Sequence, residues 1–587
     1  MTLADVSVVG AQLRFTPRRG ADLGGILRQL RGRLGPGLIR REGTSLAAPA
    51  RDLTWLLCVG ESEALAVALD AGATRGLEVR QRAAELHDDY RQHVELLRTG
   101  GVEVARAELL ATPTRQNLSV LDDHQVVNVA AMTAAEGYGM LLFDEQGAGK
   151  TVSVIYAFDR LVDLNLIDTM VVVAPKSMVG EWANAIHEFM GDRYRVETVE
   201  GSAVDRARQV DSGADVIVMN YEAVSTVRDP LLLRLRRHPD RALLVVDESF
   251  AVKNPQARRT RDLESIRDWF GRVWLLCGTP APNTAHDILA QVTLVDFGQT
   301  FAGLQIPKDR AQAVPVVREA LEARAIYLRN LKVDVLPNLP VRSFTRLVVP
   351  LAPMQAQLYG AALGALIAEV EALDENEFLK QLGTYLARRM ALLRITSNPA
   401  GVFETYDELP CKLVALDELV ERIVGRDGEK LVIWSCFTHS LDVIVQRYAR
   451  HGTVRYDGSV TSIEERREAV RSFQNDRDTR IFVANPAAAG AGLTLHAARY
   501  AVYESFTNQA AHYLQSLDRI HRRGQTREVQ YFVLLAETSI ESAEFDNLVR
   551  KEERARDLLG DVVPEPITRE QFLAELRANW RGAEVAE

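Results

Sequence analysis

Cysteine is scarce. The 587 residues hold four (Cys58, Cys277, Cys411 and Cys436), far apart and with no CxxC pair. That spacing excludes a disulfide framework and argues against a structural zinc site, so all four are expected as core thiols. No apolar run approaches the roughly 20 residues of a membrane-spanning helix. The opening MTLADVSVVG also lacks the basic and apolar regions of a secretory signal. No membrane partner is expected, and the expected location is cytoplasmic, nucleoid-associated if the chain is bacterial. Fixed-period repeats and low-complexity tracts are missing. Lysine is nearly so: of 70 basic residues nine are lysine and 61 arginine. Single arginines therefore carry little message, whereas each lysine is worth following, because the two are not interchangeable where a compact charge meets phosphate. The net charge of -10 argues against coating nucleic acid by bulk attraction but leaves room for a local basic groove.

What is present is ordinary globular composition, 47% hydrophobic and 26% charged, in a length of several domains. Short β-branched runs (GMLLFD, TMVVVAP, DVIVMNY, ALLVVDE, VWLLCGTP) alternate with amphipathic stretches from about residue 120. They read as buried parallel strands of a doubly wound α/β layer. A second series (KLVIWSCF, TVRYDG, TRIFVAN, YAVYESF, VQYFVLL) follows residue 400. The expected layout is an N-terminal α+β accessory domain over 1–115, one doubly wound α/β lobe over 116–300 and a helical connector over 301–405. A second such lobe over 406–550 and a helical tail over 551–587 complete it. Within the first 41 residues, eight arginines (14, 18, 19, 28, 31, 33, 40, 41) face two aspartates. That surplus reads equally as a solvated surface or a nucleic-acid contact. An extended stretch over 8–15, a helix near 23–34 and a charged helix after 77 are expected there.

Three constellations carry chemistry. The first is Asp144, Glu145, Gln146, Gly147, Ala148, Gly149, Lys150 and Thr151, set between a strand and a helix. Glycines there let backbone N–H groups wrap a phosphate chain, Lys150 meets the β- and γ-phosphates, and the Thr151 hydroxyl ligates Mg²⁺. Asp144 stands where the strict pattern has its first glycine. The second is Asp247 and Glu248, ending the strand ALLVVDE; Asp247 would hold the metal and Glu248 would act as base toward the attacking water. The third is QSLDRIHRRGQ (515–525), where Arg519 and Arg522 are three apart. On a helix they would share a face, positioned to act as arginine fingers on a γ-phosphate. His521 reads as structural.

In this order, these residues resemble a superfamily 2 helicase-type motor, and within it the Swi/Snf-type DNA-translocating ATPases of the bacterial or phage type, over about 120–545. LDDHQVVNV resembles the family's nucleotide-recognition segment, with Gln125 as adenine reader. DEQGAGKT corresponds to its phosphate loop, and VVVAPKSMVGEW, ending at Trp182, to its next motif. DVIVMNYEAV contributes Tyr221 and Glu222. DESFAVKNP matches the DEAH-type segment with Lys253 and Asn254, except that Phe250 stands where the family usually has histidine. CGTPAPN supplies Gly278, Thr279, Pro280 and Asn283. YLRNLKVDVLPNLP, LRITSNP, VIWSCF, YDGSV and GAGLTL (Gly490, Gly492, Leu493, Thr494) follow, and the QxxDRxHRxGQ string is the most discriminating. Five of the nine lysines (150, 176, 253, 332, 412) fall in or beside these segments.

The resemblance implies ATP and Mg²⁺ as cofactors, with Gly492 and Gln515 added to the nucleotide site. It also implies sequence-nonspecific duplex DNA held near Lys176, Ser177, Thr279 and Thr494, and translocation without strand separation. Protein partners of unknown identity stay open. So do three rival readings: an unwinding DNA or RNA helicase; an ATPase subunit of a multiprotein assembly such as a restriction or phage-defence complex; and a catalytically inactive DNA-binding scaffold. Intact Lys150, Asp247, Glu248, Arg519 and Arg522 argue against the last.

Overall fold

The computed structural model describes residues 4–9, 12–17, 40–42, 44–49, 67–69, 71–112, 115–281, 284–488, 493–506, 510–555 and 568–578. The expected helix near 23–34, five of the eight N-terminal arginines, Cys58, Asn283, Gly490 and Gly492 lie outside these residues. The chain forms two compact units that part between Val335 and Leu336, within the stretch expected as a connector.

The first unit opens with strands β1 (Ala4–Val9), β2 (Gln12–Pro17), β3 (Arg40–Glu42), β4 (Ser45–Pro49) and β5 (Val67–Leu69), in sheet order β3-β4-β2-β1-β5. All pairings are antiparallel except β1 with β5. Helix α1 (Ala71–Leu110) follows. It breaks at Gly101, whose φ of 70° suits glycine. His93 and Glu108, fifteen residues apart, would stand about 22 Å from each other on a straight helix; they are 2.8 Å apart, so the chain doubles back at the break. Val79, Ala83, Tyr90, Val94 and Leu97 recur along one face of α1 and are buried. With Ala105 and Leu109, most of them join one core with helix α2 (Asp123–Thr133) and the strands behind it. Polar ties reinforce the docking: Tyr90 donates to the Ala131 carbonyl, His87 bonds the Tyr138 hydroxyl and the Arg324 carbonyl, and Arg80 pairs with Asp268. The charged helix expected within the accessory domain is thus part of the core of the first α/β lobe.

That lobe is a seven-stranded parallel sheet of order β12-β6-β11-β10-β7-β9-β8. Its strands are β6 (Gly139–Leu142), β7 (Thr169–Ala174), β8 (Val196–Thr198), β9 (Val216–Asn220), β10 (Ala242–Asp247), β11 (Arg272–Leu276) and β12 (Tyr327–Leu328). All five strands expected from sequence are buried along nearly their whole length on both faces, with cores above and below. The short edge strands β8 and β12 lack that signature.

The second unit repeats the plan with six parallel strands in order β13-β18-β17-β14-β16-β15. They are β13 (Arg342–Val349), β14 (Leu431–Trp434), β15 (Thr453–Tyr456), β16 (Ile481–Ala484), β17 (Tyr500–Tyr503) and β18 (Val529–Ala536). β13 falls where helices were expected; half-exposed at the sheet edge, it shows no buried run. The helical part is real beside it. Helices Pro353–Glu371 and Glu375–Ser397 pack with the C-terminal helix Arg569–Ala578 around Phe378, Tyr385 and Phe572. The architecture is therefore α/β, two RecA-like parallel-sheet lobes with a helical layer and a small N-terminal α+β part.

The doubled-back α1 carries a pH-sensitive latch. His93 lies between Glu108 at 2.8 Å and Glu136 at 3.3 Å. Burial alone would lower its pKa, but the hydrogen bonds and charges of the two glutamates outweigh that and raise it. The latch therefore stabilises the fold fully below the unfolded histidine value of about 6.5, and this contribution is lost as pH rises through the raised folded value. For a half-exposed pair it is worth about 1 kcal/mol or less. His93→Gln is expected to lower Tm at pH 6 and to converge with the unsubstituted protein at alkaline pH; parallel Tm–pH curves would refute the latch.

Candidate nucleotide site

The expected phosphate loop, acidic pair and Gly-Thr-Pro loop follow β6, β10 and β11, which are neighbours in the sheet, so their C-terminal ends bring the three segments together. Gly147 and Gly149 have φ of 83° and 89°, a left-handed backbone that glycine adopts without cost. Gly149 caps the helix α3 (Lys150–Asp163), whose N-terminal N–H groups form an anion site. Lys150 Nζ donates to the Asp144 carbonyl at 2.8 Å.

Asp144 is completely buried. One carboxylate oxygen accepts from Asn128 Nδ2 at 2.7 Å. The other accepts from the backbone N–H and the Nδ2 of Asn330, at 2.9 and 2.7 Å. Glu145 continues the clamp: its N–H donates to the Asn330 carbonyl and its carboxylate accepts from the Lys332 N–H at 2.8 Å. The first position of the loop needs no glycine here, because Asp144 is not among the described residues with positive φ and its side chain fastens the loop to the segment after β12. Asn128 and Asn330 were not singled out from sequence; the signals were the family-type segments LDDHQVVNV, which holds Asn128, and YLRNLKVDVLPNLP, which holds Asn330.

Gln125 is also buried, and its Nε2 donates to the Gly149 carbonyl at 3.4 Å while its Oε1 caps its own helix at Asp122. A Cβ on Gly149 would come within 2.2 Å of that amide. His124 donates through Nε2 to the Ala148 carbonyl. Ala148 is buried and Thr151 is half-buried at the start of α3.

In the acidic turn, Asp247 accepts from Trp182 Nε1 at 2.9 Å and from the Glu248 N–H at 2.9 Å. Burial raises its pKa, opposed by the Trp182 hydrogen bond and the Lys150 charge. Glu248 adopts a left-handed backbone, φ 53°, and accepts from Gln146 Nε2 at 2.7 Å. Tyr221 supports the turn from below by donating to the Asp247 carbonyl at 2.6 Å. Thr151 and Asp247 each offer oxygen, the donor type that Mg²⁺ takes alongside phosphate and water. Cys277, behind the site, is buried and its thiol is pushed up to about 12, an inert core group, as Cys411 is.

Lys176 and Ser177 lie exposed after β7, and Thr279 is half-buried after β11. In the second unit the helix expected to carry Arg519 and Arg522 ends at Leu517, so both arginines sit on the turns beyond it. They still converge: Arg519 Nη1 and Arg522 Nη1 donate to the Leu493 carbonyl at 3.2 and 3.0 Å, next to half-buried Thr494. Gln515 is buried, and its carbonyl accepts from Arg519 Nε. His521 bonds the Pro340 carbonyl. A pocket of about 210 Å³ beyond the end of β14, lined by Arg394, Asn398, Cys436, Thr438 and His439 among others, had no signal beyond the LRITSNP and VIWSCF segments. Among the described residues no cluster of three metal-ligating side chains occurs, and no helix is long and apolar enough to cross a membrane.

Residues 122–400 match the SNF2-related domain, and residues 411–524 match the helicase conserved C-terminal domain. The chain is 26% identical over 444 residues to the ISWI chromatin-remodeling complex ATPase ISW1 of Saccharomyces cerevisiae, 70% of this chain and 38% of that one. It is 28% identical over 435 residues to the ATPase CHR11 of the same description from Arabidopsis thaliana, 71% of this chain and 40% of that one. An uncharacterized ATP-dependent helicase of Mycoplasma pneumoniae is 23% identical over 450 residues, 74% and 42% of the two chains. The chain thus spans about two fifths of the length of these relatives. The SWI2/SNF2 ATPase core of Sulfolobus solfataricus, solved in complex with dsDNA, aligns over 76% of this chain and 94% of its own at 22% identity and TM-score 0.34.

Loss of the loop clamp is measurable. Asn330→Ala is expected to cost about 1–3 kcal/mol of unfolding free energy, because the buried Asp144 oxygen loses side-chain pairing. It is also expected to weaken binding of a fluorescent ADP analogue. Unchanged urea midpoint and affinity would show that Asn330 does not fasten the loop.

Proposed function

Because the chain belongs to the SNF2-related ATPases of helicase superfamily 2, we propose that it is an ATP-driven motor that moves along double-stranded DNA without separating the strands, displacing or remodelling what is bound there. The observation that carries this reading is the hydrogen-bonded set of phosphate loop, acidic turn and Gly-Thr-Pro loop at three adjacent strand ends.

In this mechanism the N–H groups of the 147–149 loop and the first turn of α3 take the β- and γ-phosphates, with Lys150 as their counter-charge and Gln125 closing the adenine side. Thr151 and Asp247 would hold Mg²⁺, which would supply positive charge against the phosphates. Glu248 orients the attacking water and accepts its proton. Gln515 and, by the family resemblance, Gly492 are the second unit's candidates for nucleotide contact. Arg519 and Arg522 serve as arginine fingers, stabilising the transition state. One DNA backbone is gripped at Lys176, Ser177, Thr279 and Thr494, and the Arg394 pocket is suited to a further phosphate. Phosphate contacts position the motor without reading sequence, so base preference is slight and salt dependence strong.

The test is steady-state ATP hydrolysis without nucleic acid and with duplex DNA, single-stranded DNA or RNA. Duplex DNA is expected to stimulate it, Lys150→Ala to abolish it, and Arg522→Ala to lower kcat by on the order of 10³. The DNA requirement should rise with salt at a log–log slope of about 0.9 per phosphate contacted. Stimulation by RNA or single strands alone would overturn the duplex reading, and none at all would favour an ATPase subunit that works only with a partner.

A further inference from the structure

Ser249 follows directly on Glu248 and is completely buried, as is Gln291 on the helix Leu289–Asp296. The Ser249 hydroxyl donates to Gln291 Oε1 at 2.6 Å. Gln291 Nε2 donates in turn to the Pro280 carbonyl at 2.7 Å and to the Asp287 carbonyl at 2.8 Å. The amide oxygen and both amide hydrogens are therefore used, and one side chain joins the acidic turn to the last residue of the Gly-Thr-Pro loop. The same loop is held from its other end. Gly278 packs so closely on Gln146 that a Cβ would lie 3.0 Å from the Gln146 backbone nitrogen and 2.7 Å from its Cγ, and Gln146 Nε2 reaches Glu248 at 2.7 Å. Thr279 sits between these two anchors. Phe250, the next residue of the turn, packs its ring against the apolar core and offers no polar group there.

We propose that Gln291, with Ser249, is a positioning residue that couples the hydrolytic turn at Glu248 to the loop carrying Thr279, so that DNA contact and ATP turnover regulate each other within the first lobe. The inference rests on the function proposed above. A buried hydroxyl or amide left without a partner is costly, so the turn and the loop move together rather than part. Any nucleotide-dependent shift of Glu248 is then passed on to Thr279, and the link is reciprocal, as a coupling free energy must be.

The test measures basal and duplex-stimulated hydrolysis, and the KM for ATP, in the full chain and in Ser249→Ala, Ser249→Thr and the double substitution Ser249→Ala/Gln291→Met. The alanine and double variants are expected to keep the basal rate and the KM while losing stimulation by about fivefold or more. Ser249→Thr, which restores the hydroxyl, is expected to keep stimulation. Thermal melts identify a variant that does not fold; if the double variant fails, Ser249→Ala and Ser249→Thr decide. Intact stimulation in folded Ser249→Ala, or a parallel fall of basal and stimulated rates, would overturn the coupling and leave the proposed function standing. Failure of duplex DNA to stimulate the unsubstituted chain would overturn both.

Discussion

A carboxylate with no solvent exposure, Asp144, fixes the geometry on which the nucleotide site depends. Removing such a group from water costs several kcal/mol unless hydrogen bonds replace the hydration. Three bonds, from Asn128 and Asn330, do so, each worth about 1.5–3 kcal/mol at a charged acceptor. The requirement works in both directions. Asp144 cannot be buried unless α2 and the segment after β12 are in place, and with them in place the loop that follows has one route to α3. A loop meant to surround phosphate with N–H groups has few side chains of its own to hold it, so its shape is imposed from its first residue and from the glycines that allow its turns.

The parallel strands could be read from the chain because burial on both faces forces near-continuous apolar runs, and the three chemical segments could be ordered because each ends one of those runs. Of the edge strands, β15 was read from TVRYDG, but β8, β12 and β13 were not legible, for the same reason inverted. β12 is two residues long, and β13, half-exposed, reads as RSFTRLVV without a clean alternation. The helix α1 was expected as a charged helix of the accessory domain; its apolar stripe of Val79, Ala83, Tyr90, Val94 and Leu97 is regular, but only tertiary packing shows that it belongs to the core of the first lobe. Arg519 and Arg522 were expected to share a helix face, but that helix ends two residues before Arg519. What joins them is a shared acceptor, the Leu493 carbonyl, which no spacing rule reveals.

The scarce lysines divide along physical lines. Lys412 is fully buried, bonded to the Glu504 carbonyl and paired with Glu541 at 2.5 Å. Lys253 pairs with Asp287, and the backbone N–H of Lys332 is held by Glu145. Lys150 and Lys176 are the two proposed above to meet phosphate. A compact ammonium can be surrounded by two or three acceptors in a closed cavity where a planar guanidinium would not fit. Lysine retention in an arginine-rich chain therefore marks two demands, phosphate and tight burial, and the sequence alone does not separate them.

The same selectivity explains why the positioning groups are amides. Gln125, Asn128, Gln146, Gln291 and Asn330 each join two chain segments at the site, and none adds charge. An amide donates at one end and accepts at the other, so it can join a carbonyl on one loop to an N–H, hydroxyl or carboxylate partner on another without the desolvation cost of an ion. A charged residue in any of these places would compete with Lys150 or the metal for the phosphates, or repel them. In isolation Asn and Gln read as turn or surface residues, which is why the sequence named Gln125 and Gln146 for nucleotide contact and gave no sign of the joining role of any of the five. Apart from the Asp144 and Glu145 carboxylates, which fasten the loop from its first residues, mechanical connection at this site is delegated to neutral side chains. Such a division lets the acidic turn and the Gly-Thr-Pro loop be rigidly joined while the charge they surround changes with every turnover.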